Sequence, residues 1–208
     1  KSFFQGMEEL MEMKVSRIVS NTIMFLDGTE YENKDYTDKY GYKAKFRLLP
    51  RQFGIYGGEK IFEVEKVGVT TNTLSFEDYL ETRTFAFIIE MLFNSKIFRE
   101  FEYFLEDYKL SYYDYIYFIY KNLKNAPEDV KEVIESFKKQ SIHELKDTEE
   151  SLTKYYSDEK NFKQLDDGEE GGNLKYIHKA LLLSKHQKGW LDFVLNYLKK
   201  FLLSKDIE

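Results

Sequence analysis

The chain has 208 residues, no cysteine, a formal net charge of −6 and a 17% aromatic content carried largely by 17 Tyr and 18 Phe. Without thiols there is no disulfide, zinc ribbon, thiol nucleophile or thiolate-held iron–sulfur cluster within these residues. The acidic balance excludes broad, charge-driven nucleic-acid binding, which needs a basic surface. No apolar run approaches the roughly 18 residues that span a bilayer, and no signal peptide opens the chain. Neither nucleic acid nor membrane is therefore expected as a partner, and the cytoplasm is the expected compartment. A chain that starts with Lys and runs straight into helix-like sequence is expected to be cut from something longer.

Phe3, Phe4, Met7, Leu10 and Met11 recur at helical spacing and predict a helix over residues 2–13, with Ser2 as N-cap. Residues 15–25 carry Val15, Ile18, Val19, Ile23 and Phe25 and predict a strand that ends at the turn Asp27-Gly28. One helix feeding one buried strand is the unit of an α/β barrel or doubly wound sheet, present here once. Residues 33–42 suit one or two helical turns. Residues 43–49 alternate as a half-buried strand until Pro50 removes a ladder donor. Gly57-Gly58 makes a turn, and residues 60–71 form the next strand. Its inward positions pass from Phe62 and Val64 to Val67 and Val69, which predicts a bulge or a change of partner near Lys66. Gly68 marks a bend or a close backbone approach.

From Ser75 the pattern becomes helical. Ser75 with Asp78 resembles a capping box and opens a helix to about residue 93. Residues 96–108 predict a second helix, and Ser111 with Asp114 starts a third that is apolar nearly all round, as a helix inside a bundle is. Pro127, at a first-turn position, opens a fourth over 128–139. Residues 141–164 are charged and weakly periodic, and the acidic, glycine-rich 166–172 reads as a flexible loop. Two more helices follow over 174–183 and 188–203. The fold class is α+β and predominantly helical, with a small mixed sheet in the N-terminal third packed against a C-terminal helical bundle. Mixed α/β sequence gives way to all-helix near Asn72.

The three histidines, His143, His178 and His186, have no second histidine at metal-binding spacing, and His143-Glu144 is not part of a His-Glu-x-x-His pair. Phosphate-binding glycine loops are absent. Glu63 and Glu65 share a strand face, where they flank a ligand or cation or stand as exposed charge. Arg47 and Arg51 flank Pro50, so a rigid backbone can hold two guanidiniums toward an anionic group; the alternative is surface arginines beside a turn. Gly28, Thr29 and Glu30 follow a buried strand, and α/β folds bind ligands at such C-terminal turns.

The order Phe25-Leu26-Asp27-Gly28-Thr29-Glu30, Lys39-Tyr40-Gly41, Phe46-Arg47-Leu48-Leu49-Pro50-Arg51, Phe53-Gly54, Glu63-Val64-Glu65 and Thr71-Asn72-Thr73-Leu74-Ser75-Phe76-Glu77-Asp78-Tyr79-Leu80 resembles the C-terminal half of radical S-adenosylmethionine enzymes. It is similar in particular to the Fe–S oxidoreductases with an N-terminal cobalamin-binding domain. The resemblance covers roughly residues 1–120 and is most specific over 25–80. Asp27 stands where the family has Pro before Gly-Thr.

The resemblance implies that residues 1–30 are the last helix and strand of a truncated partial barrel. Gly28, Thr29 and Glu30 would lie at its mouth near the cofactor. Residues 31–208 would be a C-terminal domain, with a β and loop part to residue 72 and a helical part over 73–208, that helps shape the substrate site. The parent would bind a [4Fe–4S] cluster and S-adenosylmethionine, with cobalamin in the type named. This chain, lacking the Cys-x3-Cys-x2-Cys loop, would bind none of them and be inactive alone. Its partners would be the N-terminal domains of the same polypeptide, with self-association through an exposed strand between Arg17 and Phe25. The rivals are a standalone helical protein-interaction module, and a small hydrolase or sugar-binding enzyme using Glu63, Glu65 and the arginines.

Overall fold

A computed structural model describes residues 2–207. Helix α1 spans Ser2–Glu12, and after a 3-10 turn at Glu30–Glu32 helix α2 spans Lys34–Tyr40. Strands β1 (Lys43–Tyr56) and β2 (Glu59–Thr70) follow. The helices α3 (Phe76–Ile89), α4 (Arg99–Asp107), α5 (Tyr112–Lys121), α6 (Glu128–His143), α7 (Glu149–Ser157), α8 (Glu159–Asp166), α9 (Leu174–Ser184) and α10 (Gln187–Leu203) complete the chain. The fold is α+β and mostly helical, with its small sheet in the N-terminal third. No helix among the described residues is long and apolar enough to cross a membrane.

The chain forms two compact units, each discontinuous in sequence. The first comprises Lys1–Ser20, Thr82–Phe137 and Lys175–Glu208; the second comprises Asn21–Glu81 and Lys138–Leu174.

The first unit is a helical core built on aromatics. Ser111 accepts from the Asp114 amide and starts α5 as its sequence predicts. Tyr115, Ile116 and Ile119 of α5 are fully buried, and Tyr115 Oη donates to the Val194 carbonyl at 2.8 Å. Burial without a charged partner pushes the Tyr115 phenol far up, so it serves only as a neutral hydrogen-bond group. Phe87 and Phe137 stack with centroids 4.6 Å apart. Helix α3 runs into a π-helical stretch, Glu90–Asn94, whose wider turn carries the buried Glu90. Lys179 Nζ donates to Glu90 Oε1 at 2.7 Å and Asn94 Nδ2 to Oε2 at 2.8 Å. Asn94 also bonds both the amide and the carbonyl of Ile18.

The second unit is organised on the antiparallel hairpin β1-β2, turned at Gly57-Gly58. Lys43 pairs with Thr70, the register then shifts by one at Val69 and runs from Ala44↔Gly68 to Leu48↔Val64, and it resumes at Phe53↔Phe62, leaving residues 49–52 opposite Glu63. Pro50 offers no N–H, and Arg51 takes a left-handed φ of 65°, so the ladder breaks where Pro50 predicts. The bulge or change of partner expected near Lys66 takes this form: Lys66 itself pairs in register with Phe46, the register shifts three residues on at Val69, and the Met24–Phe25 backbone joins β2 at residues 66–68. The inward phase changes because the cover moves to the other face of β2. Phe62 and Val64 pack with Leu48, Leu152, Tyr156, Phe162 and Leu165, whereas Val67 and Val69 pack with Tyr79, Leu74 and Leu145. One strand thus serves two small cores, one on each side.

The strand expected between Arg17 and Phe25 is also not formed as such. Met24 bridges Val67, with the Phe25 amide on Lys66 O at 2.8 Å and the Gly68 amide on Ile23 O at 2.9 Å; the rest is irregular. Its extended, β-branched stretch finds only a short free edge of β2, and the Ile18 peptide groups bond a side chain instead. Gly68 suits that approach, since a Cβ there would lie 3.0 Å from the Phe25 ring, which would have to shift by a few tenths of an ångström. At the opposite edge, Phe46 and Lys146 exchange both backbone bonds at 2.9 and 2.8 Å, so the hairpin is covered on both sides.

Candidate functional site

The second unit holds a cleft of about 220 Å3, lined by Leu48, Gln140, His143, Glu144, Tyr156, Gln164, the stretch Glu169–Gly172, and Leu174. Leu48 comes from β1, Gln140 and His143 come from the C-terminal end of α6, and Glu144 from the turn directly after it. Two short helices close the cleft that a charged, weakly periodic sequence does not reveal. Helix α7 is fixed by a capping box in which Thr148 and Ser151 exchange side-chain and backbone bonds, and α8 by Asp158, which accepts from the amides of Lys160 and Asn161. Each buries only two residues, Leu152 with Tyr156 and Phe162 with Leu165, against the hairpin.

The acidic stretch 166–172 is an ordered loop, not a flexible linker. Gln164 O accepts from the amides of Glu169 and Glu170 at 2.8 and 3.1 Å. The β1 bulge turns the Arg51 amide out of the ladder, and it donates to Gly171 O at 2.8 Å. Gly171 has a φ of 69°, and a Cβ there would lie 2.6 Å from Leu165 Cδ2 and 3.0 Å from Leu48 Cδ2. Only glycine meets both demands.

This loop delivers Glu170 to His143. His143 Nε2 lies 3.2 Å from Glu170 Oε1 and 3.1 Å from Tyr155 Oη. An ionised carboxylate only accepts, so the tautomer that bonds Glu170 carries its proton on Nε2. Glu170 Oε2 is sealed from solvent and has no hydrogen-bond partner. Burial first, and then the Glu170 charge, raise the phenols of Tyr155 and Tyr156. Lys146 donates to His143 O at 2.9 Å and sits 4.2 Å over the Tyr155 ring; burial lowers its pKa, with Glu170 opposing.

Beside the cleft, Arg47 Nε donates to Glu65 Oε1 at 2.6 Å and Nη1 to Glu144 Oε1 at 3.2 Å. Burial disfavours the guanidinium charge, but Glu144 and Glu65 outweigh it and raise its pKa. Of the residues singled out from sequence, Arg47 and Glu65 thus form one ion network that reaches the cleft through Glu144. Arg51 anchors the loop through its backbone and lays its guanidinium along Gly168. Glu63 is exposed opposite the β1 bulge. Gly28, Thr29 and Glu30 form an exposed turn closed on itself, with the Gly28 amide on Glu32 Oε2 at 2.9 Å and Thr29 Oγ1 on Leu26 O at 2.6 Å. None of the seven residues singled out from sequence is itself among those that line the cleft.

The arrangement offers carboxylates, an imidazole and amides to a ligand. Among the described residues, no three His, Asp or Glu side chains converge to hold a metal ion. The chain's sequence contains no thiolate donor for a [4Fe–4S] cluster, so the residues present do not fit that group. No family model matches the chain, and no curated protein is significantly similar to it.

Proposed function

We propose that this chain is a cluster-free C-terminal part of a radical S-adenosylmethionine Fe–S oxidoreductase, of the type with a cobalamin-binding domain. On this reading it contributes to capping the substrate site or to interdomain contacts and is not itself catalytic. The observation that carries the proposal is apolar exposure along one segment. Met13, Val19, Ile23, Met24 and Leu26 are 73%, 59%, 40%, 39% and 54% exposed. Met13 and Val19 belong to the first unit and Ile23, Met24 and Leu26 to the second; each such side chain gains about 1.5–3 kcal/mol on full burial, so their run along the sequence supports a covering partner.

The residue pattern over 25–80 supports the same reading. It assigns the cluster and S-adenosylmethionine to the N-terminal domains of the same polypeptide, which are then this chain's partners, and it implies a cytoplasmic protein. Expressed alone, the chain would self-associate through the bare segment. No step of the reaction is assigned to residues of this chain.

The test replaces Val19, Ile23, Met24 and Leu26 with Lys, singly, in this chain and in the longer polypeptide. The isolated chain should lose no more than about 0.5 kcal/mol per change, as surface positions do. The reconstituted longer protein should lose substrate turnover or its compact domain arrangement. Equal destabilisation of the isolated chain would assign these side chains to its own core and leave the interaction module as the better reading.

A further inference from the structure

The cleft of the second unit stands independently of that proposal. An apolar cavity of about 150 Å3 holds benzene, so 220 Å3 takes a ligand of roughly nine non-hydrogen atoms. Three glutamates, Glu144, Glu169 and Glu170, line it, and no Lys or Arg is among the lining residues. Behind the wall, Arg47 is divided between Glu144 and the buried Glu65, and Lys146, which feels the Glu170 charge, directs its ammonium to the His143 carbonyl and the Tyr155 ring without bonding Glu170 in this structure. Glu170 is met by an imidazole and a phenol, and its Oε2 has no partner. Its negative charge is thus only partly compensated in a half-buried place, where an unpaired charge is costly. Leu48, Tyr156 and Leu174 give the same cleft an apolar side.

An anion would meet three carboxylates. A neutral polyol would find hydrogen-bond partners but leave the charge as it is. We propose that this cleft binds a small organic cation, a primary or secondary ammonium on a short apolar body. Its head lies among Glu169, Glu170 and Glu144, and its body rests on Leu48, Tyr156 and Leu174.

The probe is 2-phenylethylammonium, compared with 2-phenylethanol and the equally sized anion benzoate, titrated into the full chain by amide-detected NMR and calorimetry. Saturable binding on the order of 1 mM is expected for a ligand of this size. The alcohol should bind about tenfold more weakly and the carboxylate not at all, with shifts centred on the amides of residues 143–144 and 169–172. Glu170→Gln should cost the ammonium about tenfold. Because that change touches the loop, Glu169→Gln, at an exposed position, is the second variant and should cost about threefold with the shift pattern kept. No saturable shift, equal affinity for ammonium and alcohol, or shifts centred elsewhere on the wild-type chain would each overturn the proposal.

Discussion

Replacing Arg47 with Met tests the buried ion network. The side chains of Arg47, Glu65 and Glu144 are 16%, 6% and 20% exposed, so Met fills the stem's space while removing the one cation that two carboxylates share. Glu144 retains water, but Glu65 is left charged beside Val67 and Val69 on the covered face of β2. Removing one partner of a buried pair costs about 3–5 kcal/mol, because the remaining charge is uncompensated. That is a large share of the typical 5–15 kcal/mol stability of a domain. The double variant Arg47→Met with Glu65→Leu removes both buried charges and should return to within about 1 kcal/mol of the parent.

Urea unfolding followed by circular dichroism at neutral pH measures all three proteins. The deficit of the single variant should shrink with acid. Its stranded carboxyl holds a proton more tightly folded than unfolded, so the penalty is present at high pH and fades toward the unfolded value of about 4.3. A single variant within about 1 kcal/mol of the parent at neutral pH, or a double variant as unstable as the single, would refute the reasoning.

Other outcomes follow from particular contacts. Burial opposes ionisation of Glu90, but the bonds from Lys179 and Asn94 and the charges of Lys179 and Arg17 hold its carboxyl below the ordinary 4.5. A depressed acid stabilises above its unfolded value and loses that contribution as pH falls through the folded one. Glu90→Gln should therefore lower Tm at neutral pH, and the gap should close as pH falls below the unfolded value of about 4.3 and through the lower folded one; parallel Tm curves would contradict this. Gly171→Ala sets a Cβ against Leu165 and Leu48 at a left-handed φ. It should cost about 1–3 kcal/mol and speed hydrogen exchange at the Arg51 amide, and an unchanged rate there would count against the loop anchor. Ser75→Ala removes the hydroxyl that accepts from the Asp78 amide at 3.0 Å and donates to its carboxylate at 2.7 Å. A loss of about 1 kcal/mol is expected in urea unfolding.

Local chemistry was the legible part of this fold. Ser75 with Asp78, Ser111, Pro127, the Gly57-Gly58 turn and the break at Pro50 each act within a few residues, and each stands where its residue type demands. The phase change in β2 was visible, but its cause was not, because alternation cannot say which face of a strand another element covers. Helices α7 and α8 escaped because two buried residues apiece make no stripe, and their stability comes from caps and from the hairpin beneath. The cleft was illegible for a similar reason. Arg47 and Glu65 attracted notice as charges near a proline and on a strand. Their partner Glu144 and the His143–Glu170 contact join residues 97 and 27 positions apart, a distance at which no sequence period operates. Arg51 was noticed for its guanidinium, yet its backbone amide is what holds the loop.

The most direct test of the proposed origin is to read the coding sequence upstream of Lys1. A Cys-x3-Cys-x2-Cys loop roughly 150–250 residues earlier, about one domain's length of chain, is the expected result. A start codon immediately before Lys1 would contradict it.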